Sequence, residues 1–218
     1  MKNMLLLIDN NKNHFGIMTH KIINYLALKK IPFLVESSLD KIKNILNQRI
    51  KIIGIILSGS SYCLSSKINV GNINKNFLVM LKCQQIPILG ICFGFQIICL
   101  AYGGEITKMI NAVKGKQKIS LLRPCPLFTN LENLQEVFLS HKDCLEKMPL
   151  NFEIIATNLE SNVIQAIQSV EDLRWGLQFH PEALVDTCPI LFNFYELCKN
   201  ISLNNFPQKR SRITETNR

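Results

Sequence analysis

The chain has 218 residues, of which 47% are hydrophobic and 19% charged, and a formal net charge of +9. That length and apolar content suit one domain with a sizeable core, and no apolar run reaches the ~20 residues that a membrane-spanning helix needs. The lysines are scattered along the chain with no aromatic-interleaved basic run, which argues against a nucleic-acid-binding surface despite the charge.

The first expected element is a nearly continuous apolar strand, Met4 to Asp9, of the kind covered on both faces. Thr19 to Lys29 follows with Ile22, Ile23, Leu26 and Ala27 at helical spacing. Pro32 to Val35 reads as a second strand. Leu39 to Arg49 is an amphipathic helix, with Leu39, Ile42, Ile45 and Leu46 on one face. Ile52 to Leu57 is a third strand, ended by Ser58-Gly59-Ser60-Ser61. Phe77 to Cys83 reads as helix. Ile86 to Gly90 is a fourth strand and runs straight into a helix, Phe95 to Tyr102, which Gly103-Gly104 closes as a C-cap. Alternation of strand and helix predicts an α/β fold: an open, mostly parallel sheet with helices on both faces.

Beyond Gly104 the pattern changes. Ile119–Leu122, Val137–Leu139, Glu153–Asn158, Val163–Gln168 and Trp175–Phe179 read as further strands with turns between them. Ile190 to Cys198 is the last helix. Residues 1–203 are therefore expected to form the domain, and 204–218 a polar, basic tail around Lys209-Arg210-Ser211-Arg212. The N-terminus lacks the zones of a signal peptide, so a cytoplasmic or other reducing compartment is expected. Eight cysteines occur without a C-x-x-C pair or a metal-type cluster. All but Cys92 are expected to be small buried hydrophobes, with no metal site and no cofactor. Of the four histidines, His14 and His20 are expected at the surface.

Two segments carry chemistry. In Pro87-Ile88-Leu89-Gly90-Ile91-Cys92-Phe93-Gly94-Phe95-Gln96, a buried strand enters a G-x-C-x-G turn and then a helix. This is the cysteine counterpart of a nucleophile elbow. It puts a thiol at the C-terminal edge of the sheet, under the positive end of a helix. In Trp175-Gly176-Leu177-Gln178-Phe179-His180-Pro181-Glu182, a strand delivers a histidine and then a carboxylate. A nucleophilic thiol needs a base, and the base needs an orienting acceptor. Cys92, His180 and Glu182 are the residues that fit these roles.

Together the two segments resemble the paired signature motifs of the class I, triad-type glutamine amidotransferases, over nearly all of Met4 to Cys198. The resemblance implies glutamine hydrolysis to glutamate and ammonia, with L-glutamine as substrate and a separate synthetase subunit receiving the ammonia. It implies oxyanion donors at the amides of Phe93 and Ser60, and substrate contacts at Gly59, Gln96, Ser140 and His141. The loop Ser58-Gly59-Ser60-Ser61 departs from the family's S-G-G-P or S-P-G-P-G. If position 60 requires a positive φ, serine there costs on the order of 1–2 kcal/mol.

Leu139-Ser140-His141-Lys142-Asp143, with Met148-Pro149-Leu150-Asn151-Phe152-Glu153-Ile154-Ile155-Ala156, resembles the S-H-G-D…L-P-x-G-F-E-V-I-A pattern of the GMP synthase amidotransferase, with Lys142 in place of the glycine. That favours an ATP-pyrophosphatase type of partner. The anthranilate and aminodeoxychorismate synthase components, a stand-alone γ-glutamyl hydrolase and a non-catalytic regulatory relative remain as alternatives.

Overall fold

The computed structural model describes residues 2–11, 15–48, 50–65 and 71–204. His14 and the cluster Lys209–Arg212 lie outside the described residues.

Among the described residues, nine strands form one sheet: β1 (Met4–Ile8), β2 (Phe33–Glu36), β3 (Ile52–Leu57), β4 (Ile88–Ile91), β5 (Glu105–Leu121), β6 (Leu134–Lys147), β7 (Phe152–Asn158), β8 (Ile164–Ser169) and β9 (Arg174–Leu177). Their spatial order is β2-β1-β3-β4-β9-β8-β7-β5-β6. Five neighbours, β2-β1-β3-β4-β9, pair in parallel. The remaining pairings are antiparallel. The expected antiparallel strands of the second half thus extend the same sheet.

Among the described residues, five helices cover it: α1 (Ile17–Leu28), α2 (Leu39–Asn47), α3 (Gly71–Lys82), α4 (Phe93–Ala101) and α5 (Pro189–Leu203). Side chains alternate between the faces of a strand, so each apolar run feeds two cores. Leu5 and Leu7 of β1 join Ile22 and Leu26 of α1 and Leu191, Phe194 and Cys198 of α5. Leu6 and Ile8 turn the other way, towards Ile42 of α2, Val79 of α3 and Ile97 of α4. None of these helices is long and apolar enough to cross a membrane.

The largest departure from the expected elements is β5–β6. The sequence suggests short strands at 119–122 and 137–139, yet the two strands run 17 and 14 residues and pair from Glu105–Lys147 to Ser120–Leu134. Most of Glu105–Lys118 is exposed or half-buried. With little apolar surface to bury, it lacks the periodicity that marks a strand, and ladder hydrogen bonds specify it instead. The register breaks between Lys108 and Val113, where Ile110 is fully exposed. Helix α3 also starts six residues before the expected Phe77.

The cysteines are all free. Cys63, Cys144 and Cys188 are only half-buried, against the expectation of full burial. Burial raises the pKa of Cys83, Cys144 and Cys188, pushes Cys125 up to about 11 and raises Cys99 and Cys198 further. These thiols stay protonated and unreactive.

Close packing fixes the turn between β4 and α4. A Cβ at Gly94 would sit 2.3 Å from the Leu57 carbonyl oxygen and 2.7 Å from the Leu57 Cβ. Both belong to the neighbouring strand rather than to a flexible side-chain tip. Gly94→Ala should therefore destabilise the domain by about 2 kcal/mol, the usual scale of core overpacking. Urea unfolding should report it as a lowered midpoint.

Candidate active site

Parallel pairing of β4 with β9 places Ile91 beside Leu177. The Cys92 amide donates to the Leu177 carbonyl at 2.7 Å. Cys92 and the segment Gln178–His180 therefore leave the same edge of the sheet side by side, although His180 follows Cys92 by 88 residues. This is the C-terminal edge of the parallel strands, where open α/β sheets form clefts.

Cys92 has φ +51° and ψ −99°. A non-glycine residue in the positive-φ region is strained by a few kcal/mol at most, and such strain collects at functional sites. Here it holds the side chain out of the sheet and into a cleft of about 530 Å³. The same cleft is lined by Gly59, Ser60, Phe93, Gln96, Ser140, His141 and His180. The structure thus brings together every site residue expected from the sequence except Glu182, which lies behind the imidazole.

His180 Nδ1 and Glu182 Oε1 are 2.8 Å apart, in a pair whose side chains are 5% and 0% exposed. Pro181 opens a 3₁₀ turn, Pro181–Ala183, that folds the carboxylate back under the ring. The His180 amide donates to the Phe138 carbonyl at 2.9 Å, tying the histidine to β6. With Nδ1 committed to Glu182, Nε2 is the ring nitrogen left to act on Cys92, which lines the same cleft. Burial disfavours charge on the imidazole, but the Glu182 carboxylate and Cys92 outweigh it and raise the pKa to about 10. The proton is thus held on the ring, between an orienting carboxylate and a sulfur. A Cβ on Gly59 would lie 2.9 Å from His180 Cε1 and 3.5 Å from Cys92 Cβ, so this glycine allows the loop to close over both.

The loop after β3 settles the question raised by its two serines. Neither Ser60 nor Ser61 has a positive φ. The strain feared for serine at position 60 is absent. Its hydroxyl donates to the Asn10 carbonyl at 2.8 Å, a bond that glycine could not make. Asn10 in turn bonds Ser58 twice, through its amide to Ser58 Oγ at 3.0 Å and through Nδ2 to the Ser58 carbonyl at 2.9 Å. The loop is braced against the end of β1, and the Ser60 N–H stays outside that bracing. Across the cleft, Phe93 is the first residue of α4, so its N–H has no carbonyl of the preceding helical turn to meet.

Gln178, Asp143 and Ser65 join the site although no role is assigned to them from the sequence. Gln178, fully buried, extends Nε2 to within 3.7 Å of Cys92 Sγ and accepts from Gln96 Nε2 at 3.0 Å. Gln96 Nε2 also donates to the Asp143 carbonyl at 3.1 Å. The same carbonyl accepts from His141 Nδ1 at 2.9 Å. Burial lowers the pKa of His141, so this imidazole is neutral with its proton on Nδ1. Asp143 is itself held by Ser65, through its amide at 3.0 Å and its hydroxyl at 2.5 Å. Gln178 lies inside the second motif and Asp143 beside Ser140-His141. Only the fold shows that they join the two motifs to each other. His20 is exposed, as expected, and stands edge-on to Phe15. Among the described residues no group of His, Cys, Asp and Glu side chains could hold a metal ion.

Residues 6–197 match the family model described as glutamine amidotransferase class-I. The chain is 35% identical over 200 residues to a glutamine-hydrolyzing GMP synthase subunit of Methanobrevibacter smithii, covering 90% of this chain and 97% of that one. It is 30% identical over 166 residues to the longer, glutamine-hydrolyzing GMP synthase of Ehrlichia canis, covering 72% of this chain and 32% of that protein. The crystal structure of a Thermoplasma acidophilum protein, described provisionally as a GMP synthase subunit, shares the fold. Its TM-score is 0.79 at 22% identity, over 94% of this chain and 98% of that one. The chain belongs to the class I glutamine amidotransferase family.

The raised pKa of His180 makes stability depend on pH. Below the unfolded value of about 6.5 the histidine is protonated in both states, and its interaction with Glu182 is fully present. As pH rises from there towards 10, the unfolded chain loses this proton while the folded one keeps it, so the stabilisation declines and is gone above the folded pKa. Glu182→Gln should flatten this decline. Thermal midpoints measured from pH 6 to pH 10 on both proteins check the difference in slope.

Proposed function

We propose that the protein hydrolyses L-glutamine to glutamate and ammonia, with Cys92 as nucleophile, His180 as general acid and base, and Glu182 as the group that orients the imidazole. The observation that carries this reading is the buried Glu182–His180 pair set against a thiol on a positive-φ turn.

Cys92 Sγ attacks the side-chain amide carbon. The amide oxygen becomes an oxyanion facing the amides of Phe93 and Ser60, the donors of the oxyanion hole. His180 passes the proton from Nε2 to the departing nitrogen, which leaves as ammonia. A γ-glutamyl thioester remains on Cys92. His180, now neutral, takes a proton from water as that water attacks the thioester carbon, and glutamate leaves with the thiol restored. Glu182 keeps Nδ1 protonated throughout, so Nε2 serves both steps.

The ammonia is handed to a separate synthetase. A component of GMP synthase type is the reading we favour, with an ATP-pyrophosphatase type of partner. Its support is the near end-to-end match to relatives named as GMP synthase subunits, and the S-H-x-D segment at Ser140–Asp143. The domain is read as residues 1–203, with the polar segment 204–218 dispensable for glutamine hydrolysis.

Cys92→Ala should abolish glutaminase activity, and His180→Ala should nearly match it, a loss of roughly 10³-fold or more each, because nucleophile and base act as a unit. Glu182→Gln should cost less. A diazoketone analogue of glutamine should label the wild-type protein at Cys92 and leave Cys92→Ala unlabelled. Wild-type glutaminase activity should rise when the synthetase partner is added, measured as glutamate release.

A further inference from the structure

The far end of the substrate poses a separate recognition problem. Glutamine carries an α-carboxylate and an α-ammonium, neither of which the reacting groups can read. The charged side chains lining the cleft, apart from the two histidines, are Lys114, Lys142 and Asp143. Asp143 is already committed to Ser65 through both carboxylate oxygens. Lys114 and Lys142 form no ion pair among the described residues, unlike Lys116, which pairs with Glu136 at 2.8 Å, and Lys147, which pairs with Glu105 at 2.8 Å.

Placement makes these two cations more than a charged rim. Lys114 sits directly opposite Ser140 in the β5–β6 ladder. Lys142 lies two residues beyond Ser140 on the same strand. Side chains on one strand face recur every second residue, about 7 Å apart, and opposed residues lie closer still. Both lysines therefore leave the ribbon on the face that carries Ser140. The Ser140 carbonyl is 3.7 Å from Cys92 Sγ. Both lysines line the same cleft as that sulfur. Gln96 complements them. Both Nε2 hydrogens are used, on Gln178 and on the Asp143 carbonyl. What Gln96 can offer a ligand is the Oε1 acceptor, which suits an ammonium and repels a carboxylate.

Resting on the glutaminase reading, we propose that Lys114 and Lys142 clamp the α-carboxylate of the substrate, so that this site selects γ-amides bearing a free carboxylate at the far end. Lys142 stands where the S-H-G-D pattern has glycine, so its part of the clamp belongs to this chain's own sequence. The lysines bind and position the substrate and take no part in proton transfer. Their contribution belongs in affinity and KM, with kcat preserved.

Calorimetry on the full chain carrying Cys92→Ala keeps the ligand intact during the test. Three probes separate the two ends: glutamine, glutaramate (no α-amine) and 4-aminobutanamide (no carboxylate). Lys114→Met and Lys142→Met should each weaken glutamine and glutaramate roughly fivefold, the scale of a solvent-screened ion pair, and leave 4-aminobutanamide unchanged. Lys142→Arg should retain affinity, and added salt should weaken glutamine binding to the parent more than to the double variant. Unchanged glutamine affinity in both methionine variants overturns the clamp and leaves the glutaminase reading standing. Equal weakening of all three probes also overturns it, as a disturbance of the ribbon. Unchanged affinity combined with lost stimulation by the synthetase assigns the lysines to an acidic partner surface and overturns the clamp. A parent that binds no glutamine, and a wild type that releases no glutamate with or without the synthetase, overturns the glutaminase reading itself.

Discussion

The parallel pairing of β4 with β9 is the constraint on which the site depends. One backbone hydrogen bond, from the Cys92 amide to the Leu177 carbonyl, sets the nucleophile's turn against the strand that delivers the histidine. Register decides the rest. A slip of one residue would turn every β9 side chain to the opposite face and carry His180 away from the sulfur. The register is secured by β9 lying between β4 and β8, so that both of its edges are bonded. It is also secured at the bottom of the strand, where buried Arg174 donates to the carbonyls of Cys83, Gln84, Ile86 and Leu173. A buried guanidinium is costly to place, and these four carbonyl acceptors offset that cost only in one alignment.

Around that pairing, the site is built as layers of restraint. The strained Cys92 backbone is tolerated because Gly94 lets α4 pack against Leu57. His180 is fixed from two sides, by Glu182 through its ring and by Phe138 through its amide. The loop with Gly59 and Ser60 is fixed from behind by Asn10 and Ser58. The reacting groups are thus held in place before the substrate arrives. Such preorganisation lowers a barrier, because the dipoles need not reorient as charge develops.

The β5–β6 ribbon has a different character. It is long, largely exposed and lysine-rich, yet it supplies Ser140, His141 and Asp143 to the lining of the cleft. The Asp143 carbonyl and carboxylate join the ribbon to Gln96 on one side and to Ser65 on the other. Displacement of the ribbon would therefore reach Cys92 through Gln96 and Gln178. A surface element wired to the nucleophile in this way can both read the substrate and respond to whatever docks beside it.

Much of this was legible in the sequence because its signals are local. The apolar runs of β1, β3 and β4 mark strands buried on both faces, and G-x-C-x-G marks a turn with no room for side chains. His-Pro-Glu places an acceptor within reach of an imidazole whatever the fold. The long ribbon was illegible because its strands bury little and so lack periodicity. The links from Gln178 and Asp143 to the nucleophile were illegible because each joins residues more than forty positions apart. Residue types within two local motifs named Cys92, His180 and Glu182. Their meeting in one cleft, the ordinary backbone of Ser60 and the uncommitted state of Lys114 and Lys142 depend on strand register and on which partners burial leaves over. Those are properties of the packed chain, in which distant segments compete for the same hydrogen bonds.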